Sequence, residues 1–191
     1  MNREFAVKLP IKLPIIREDL ASLRAGDGVL LSGVLYTARD AAHMRLCELL
    51  DSGEPLPFEL RGAAIYYAGP TPPPPGFVVG SAGPTTSSRM DFAAPRLIRR
   101  GLSCMIGKGA RSAEVVEAMK ECGAVYLAAV GGAGALLGGR VLRSELVAFP
   151  ELGTEAVRRL TVSDFPATVA IDSLGGDIYS EGRAEYLRSI K

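Results

Sequence analysis

One histidine, three scattered cysteines and a net charge of +1 leave this 191-residue sequence short of the groups that usually mark a site. Cys47, Cys104 and Cys122 stand in no C-x-x-C spacing, and His43 has no second histidine to pair with. A metal or iron–sulfur centre held by this chain alone is therefore not expected. The cysteines read instead as small buried apolar residues. The near-zero charge offers no global field for nucleic acid or a membrane surface, so any anion binding must come from local arrangement. No run approaches the ~18 apolar residues that span a bilayer. Met1–Phe5 lacks the apolar centre of a signal peptide, so the expected location is the cytoplasm. No internal repeat and no paired carboxylates are visible.

What is present is globular. The sequence is 48% hydrophobic and 23% charged, which argues against disorder, and its length suffices for one domain with a real core. Strand-like and helical segments alternate. Residues 5–14 read as an edge strand, because Pro10 excludes a central one. A short helix over 17–24 is followed by a strand over 29–36. Thr37 and Asp40 have capping-box spacing for a helix running to about Leu50. Residues 63–67 read as a strand, and Thr71–Gly76 as a stiff proline-rich surface loop joining it to a short buried strand at Phe77–Gly80. Pro95 delays the next helix to Ala93 or Ala94, which leaves Thr85–Asp91 as a loop or a single turn. Residues 103–106 form a strand, Ser112–Cys122 a helix stopped by Gly123, and 124–130 a strand. The glycines of Gly131–Gly139 fit a dinucleotide fingerprint poorly, because Leu137 stands at its third glycine position. They suit close helix packing. Near the end, 159–162 and 167–171 are strand-like, Asp172–Asp177 is a turn, Ile178–Tyr179 resumes a strand, and 182–191 suits a short helix. The expected fold is α/β, a single domain over 1–191 with a mixed sheet and a terminal hairpin.

The chemistry-bearing residues gather at strand-to-helix turns. Gly83-Pro-Thr-Thr-Ser-Ser-Arg-Met-Asp91 puts four consecutive hydroxyls and Arg89 in one such turn. Hydroxyls, free backbone N–H groups and a planar guanidinium suit anionic oxygen. Ser88 and Asp91 also fit a capping box, the plainer reading of the same residues. Arg39 opens its helix where the dipole disfavours a cation, a local conflict that marks a candidate for function. It shares a face with His43 four residues on. Lys108, between Gly107 and Gly109, is a third cation at a helix entrance, with glycines that permit close backbone approach to a ligand. The segment is not a phosphate-binding P-loop, for the upstream glycine and following Ser/Thr are missing. Ligands of open α/β sheets bind where such turns meet, at the carboxyl ends of the strands. Arg39, Arg89 and Lys108 with Thr85 and Thr86 would suit a small dicarboxylate, in a chain that lacks part of its own chemistry.

Together Thr37-Ala-Arg-Asp-Ala-Ala-His43, Tyr66-Tyr-Ala-Gly-Pro70, Gly83–Asp91, Gly107-Lys-Gly109 and Asp172-Ser-Leu-Gly-Gly-Asp-Ile-Tyr179 resemble the β subunit of class I fumarate hydratase. L-tartrate dehydratase β subunits share the pattern, which corresponds to the C-terminal domain of single-chain forms. The likeness runs in order over about residues 15–180. It implies a swivelling β/β/α-type domain paired with an α subunit, as an αβ or α2β2 heteromer. That α subunit would hold a 4Fe-4S cluster on its own cysteines, with an open iron acting as Lewis acid. The implied reaction is reversible hydration of fumarate to L-malate, or dehydration of tartrate or another 2-hydroxy dicarboxylate. Arg39, Arg89 and Lys108 would bind substrate carboxylates, with Thr86 beside them, and Thr85 would take part in proton transfer. Met44 departs from the pattern, where a basic residue is expected. A different class of function is a dicarboxylate-binding domain with no catalysis of its own.

Overall fold

Strands buried on both faces read as continuous apolar runs, and three short runs of this kind form the middle of the sheet. They are Ala64–Tyr66 (β3), Cys104–Gly107 (β4) and Val125–Ala128 (β5). A computed structural model describes residues 8–182 of the chain. Before β3 come Leu9–Lys12 (β1), helix Arg17–Ser22 (α1), Gly28–Thr37 (β2) and helix Asp40–Ser52 (α2). Helices Ala94–Arg99 (α3), Ala113–Cys122 (α4) and Gly134–Gly138 (α5) follow β3, β4 and β5 respectively. Val141–Ala148 (β6) and Val157–Ile171 (β7) complete the single mixed sheet.

β1 to β5 run parallel in the order of the chain, and β7 lies antiparallel to both β2 and β5. This double pairing closes a circuit through β2, β3, β4, β5 and β7. β1 is an edge, so Pro10 removes no bond from a central ladder. β7 accomplishes the closure by bending: Asp164 takes φ 50, opposite a register shift between Leu31 and Gly33. Its amide donates to Ser32 Oγ at 3.0 Å, which satisfies the donor freed by the shift.

Alternation along each strand sorts two cores. Leu31, Leu35, Tyr66, Ile106, Leu127 and Phe165 belong to the inner core. Ile65, Tyr67, Met105 and Tyr126 pack with α2, α3 and α4 on the other. The parallel strands β2 to β5 therefore share one carboxyl edge, where each hands over to the turn that follows it.

Several local expectations change. The terminal hairpin is β6–β7 and not 167–171 with Ile178–Tyr179: residues 178–182 are helical, and Ile171 meets Asp177 in a single bridge. The two predicted strands of 159–171 are one strand, continuous through the bend. Phe77–Gly80 forms no strand, because no neighbouring strand offers it a ladder; Phe77 and Val78 are exposed and only Val79 is buried. Gly134 and Gly138 do allow close packing, though against the 80–83 loop: a Cβ at either would lie 2.2 Å from Ser81 Oγ or 2.1 Å from Gly80 O. Residues 5–7 of the predicted first strand and 183–191 of the predicted tail helix lie outside the described residues.

Candidate functional site

The excursion from β3 returns to the sheet at Thr85, whose amide donates to Tyr67 O at 2.6 Å. From there the chain pairs with the turn after β4. Lys108 N–H donates to Thr85 O at 3.2 Å and Ser87 N–H to Lys108 O at 2.8 Å. Thr85, Thr86 and Lys108 are thus joined by backbone. Gly107 is required by this contact, since a Cβ there would stand 2.1 Å from Ser87 Oγ. Gly109 takes φ +81 and turns the chain away. Gly107 beside Lys108 therefore serves the loop-to-loop contact, a role the sequence did not suggest. Tyr126 bolts the pair from below. Its hydroxyl donates to Gly109 O at 2.9 Å, which leaves Ser87 Oγ as the donor of their 2.8 Å bond.

The residues after Thr86 form one 3-10 turn, Ser87–Met90. Ser88 makes no cap bond to it, contrary to the capping-box spacing. Asp91 is engaged elsewhere: its Oδ1 accepts from Arg111 Nε at 2.7 Å and its Oδ2 from Ser112 N at 2.7 Å. Arg89 is half exposed and donates through Nε to Asp40 Oδ1 at 2.7 Å.

Asp40 opens α2. Arg39 precedes it as the N-cap residue, in extended backbone, so it stands just outside the first turn where the sequence put it. Its dipole conflict is relieved by acids: Nη2 lies 3.2 Å from Glu155 Oε1 and Nε 3.9 Å from Asp40 Oδ2. Thr37 makes no capping box either. It ends β2, accepting from Arg158 N at 3.2 Å. Asp40 therefore stands between Arg39 and Arg89, and the two guanidiniums share a carboxylate. All five residues singled out from the sequence lie at the one carboxyl edge. Arg39 and Arg89 form one group; Thr85, Thr86 and Lys108 form another, adjoining it through Ser87 and Ser88.

Beneath this edge lies a buried polar node that sequence reasoning missed. The Arg111 side chain is fully buried, with Cζ 5.0 Å from the Tyr126 ring and 5.3 Å from the Tyr67 ring. His43 is fully buried too and meets Tyr67 edge-on at 5.3 Å. Its Nδ1 lies 2.9 Å from Arg39 O. A carbonyl only accepts, so Nδ1 carries the proton and Nε2 holds a lone pair. Burial pushes the His43 pKa down to about 4, with Arg111 adding to the fall and the Arg39 carbonyl and Asp40 opposing it. Burial raises the Tyr67 phenol as well, against the Arg111 charge. The only sequence signal for this node was the four-residue step from Arg39 to His43. Arg111 had none, because its partner Asp91 is twenty residues away.

No cofactor set is assembled by this chain's thiols. Cys47 is buried on α2, Cys104 lies in the inner core, and Cys122 is exposed at the end of α4. Burial pushes Cys104 up to about 12 and raises Cys47. The expectation of three buried cysteines fails at Cys122, the last residue of its helix. These residues do not fit an iron–sulfur cluster. Among the described residues, no group of three or more His, Cys, Asp or Glu side chains is placed to hold a metal ion. Nor is any helix among them long and apolar enough to cross a membrane.

The geometry can be set beside known proteins. The family profile described as Fumarase C-terminus matches residues 2–182. The chain is 42% identical over 180 residues to fumarate hydratase 2 of Leishmania major, covering 92% of this chain and 32% of that protein. It is 39% identical over 180 residues to the aerobic class I fumarate hydratase of Escherichia coli strain K12, covering 92% and 33%. A protein of Methanocaldococcus jannaschii, provisionally named L(+)-tartrate dehydratase subunit beta, is 43% identical over 173 residues, covering 87% of this chain and 89% of that one. The chain thus spans about a third of the fumarate hydratases it matches and most of the β subunit. With its profile matched over nearly all its length, the chain belongs to the Fumarase C-terminus family.

Proposed function

We propose that this chain, as one fumarase C-terminal-type domain over residues 1–191, is the substrate-holding β subunit of a hydro-lyase acting on a small dicarboxylate. The reaction we assign is reversible hydration of fumarate to L-malate. The observation that supports it best is the gathering of Arg39, Arg89, Lys108, Thr85 and Thr86 at one carboxyl edge. Arg39 and Arg89 flank the Asp40 carboxylate, one toward each oxygen, and a substrate carboxylate can accept from such guanidiniums in the same way. Lys108 supplies a point charge for the second carboxylate, with Thr86 as a hydrogen-bonding neighbour. Each hydrogen bond to a charged group contributes about 1.5–3 kcal/mol. Thr85 is held from both sides of its backbone, so its hydroxyl has a defined place from which to give or take the proton at the substrate carbon.

The iron–sulfur cluster implied by the family resemblance belongs, in this reading, to a partner α subunit, in an αβ or α2β2 complex located in the cytoplasm. When bound there, it supplies Lewis acidity toward the substrate hydroxyl. Two features fit a shared site: this chain's thiols do not converge, and its cations line an open edge. A second reading, dehydration of tartrate, is favoured by the near-equal length of the M. jannaschii relative named for that activity. The test is anaerobic activity of the chain, alone and co-expressed with its cluster-bearing partner, on fumarate, malate and tartrate. Activity is expected only in the complex, with fumarate preferred. Preference for tartrate selects the second reading. Dicarboxylate binding by the lone chain, with an inert cluster-loaded complex, replaces both with a non-catalytic binding domain.

A further inference from the structure

Arg111 is an expensive residue to keep. Its guanidinium is fully buried, it has one carboxylate partner, and its Nη2 has no hydrogen-bond partner. Such ion pairs generally add little to net stability, and well-packed apolar side chains often replace them without loss. What a buried, directional pair does supply is register. Asp91 ends the segment that carries Thr85 and Arg89, and Arg111 stands three residues after Lys108. Their bond ties together the two turns that hold the candidate ligand groups. Asp91 strengthens the tie by accepting from Ser112 N as well, at the start of α4.

The node reaches the third turn also. Tyr67 lies against Arg111 on one contact and His43 on another, and His43 Nδ1–H donates to the carbonyl of Arg39. The polar atoms left around the Tyr67 ring are complementary: His43 Nε2 has a lone pair, while Tyr67 O–H and Arg111 Nη2 have hydrogens to give. One buried cation is therefore linked to every turn that brings a candidate residue to the edge: directly to the Asp91 and Lys108 segments, and through the Tyr67 and His43 rings to Arg39.

We propose that Arg111 is a positioning residue: its guanidinium sets the register of the Thr85–Asp91 segment against the Lys108 turn, so that Thr85, Arg89 and Lys108 meet one ligand. The inference rests on the proposed function only for the identity of that ligand.

Hydrogen exchange on the full chain reads the register without any reference to activity. The amides to follow are Ser87 and Lys108, whose bonds join the two turns, with Val125 N–H to Ser103 O as a core control. The double variant Asp91→Asn with Arg111→Met removes the pair without stranding one charge. Ser87 and Lys108 are expected to exchange at least tenfold faster in it, and Val125 at the wild-type rate. Arg111→Lys keeps the charge, loses the fork and falls between. In the active enzyme the double variant raises KM for the dicarboxylate at least tenfold while the melting temperature stays within a few degrees. Wild-type exchange at Ser87 and Lys108 in either variant overturns the proposal. So does equal acceleration at Val125, which would mark Arg111 as a general stabiliser. A wild-type complex inert toward every dicarboxylate sinks the assigned reaction alone and leaves the exchange result to decide this role.

Discussion

The two ends of the parallel strands make a useful contrast. At the amino edge of β3, β4 and β5 lies a cleft of about 590 Å³ lined by Pro14, Ile15, Ile16, Gly62, Ser103 and Cys122, with Arg61 as its charged side chain. The carboxyl edge has Arg39, Arg89 and Lys108 on an open surface, in turns whose Arg39 carbonyl and Asp91 carboxylate bond to a buried polar node. Volume favours the first edge and chemistry the second. Charged groups on turns that are fixed by buried contacts can act on a ligand with little reorganisation, whereas a roomy apolar cleft gives only contact area. On the proposed reading, space and function need not coincide in a chain whose site is completed by a second subunit.

Removing charge at each edge gives the largest expected separation. Arg89→Ala should lower kcat/KM of the complex about 100-fold, roughly 2.7 kcal/mol of transition-state binding. Arg61→Ala should change it less than about twofold. Equal losses would abolish the contrast. A pH titration sharpens it next. His43 is depressed in the folded state to about 4 from an ordinary 6.5, because it is buried. Between those values the unfolded chain binds a proton that the folded chain refuses. Stability should therefore be full above pH 6.5 and fall as pH drops toward 4, by up to about 3 kcal/mol from this group. His43→Asn should flatten that part of the profile in denaturant titrations. An unchanged slope would mean that the node beneath the carboxyl edge is not what acid disrupts. The smallest effect belongs to the amino edge: a thiol reagent should label Cys122 in the native protein with little loss of stability. Cys47 and Cys104 should react only on unfolding. Labelling of Cys104 first would contradict its place in the inner core.

Legibility followed the range of the interactions. The start of α4 at Ser112 and its stop at Gly123 were readable because both are local: Ser112 Oγ accepts from Val115 N, and Gly123 takes φ 72. The apolar runs of β3, β4 and β5 announced themselves because both faces are buried. Phe77–Gly80 had a similar composition yet formed no strand, since a ladder needs a neighbour and composition does not supply one. β6 was missed because its residues alternate poorly; its place is secured by pairing to β7. Asp91 looked like a helix cap by spacing and became an ion-pair partner of Arg111.

The sequence alone determined the alternation of strand and helix from the second strand to β5 apart from Phe77–Gly80, the edge position of the first strand, and which cations and hydroxyls stand at the turns. Those follow from turn chemistry, proline and hydrophobic period, which act over a few residues. Only the tertiary structure decided that β7 bends to close the circuit, that Arg39 and Arg89 share Asp40, and that a buried Arg111 binds the turns together. Each of these joins residues far apart in the chain, and their energies exist only once burial has excluded water from the contact.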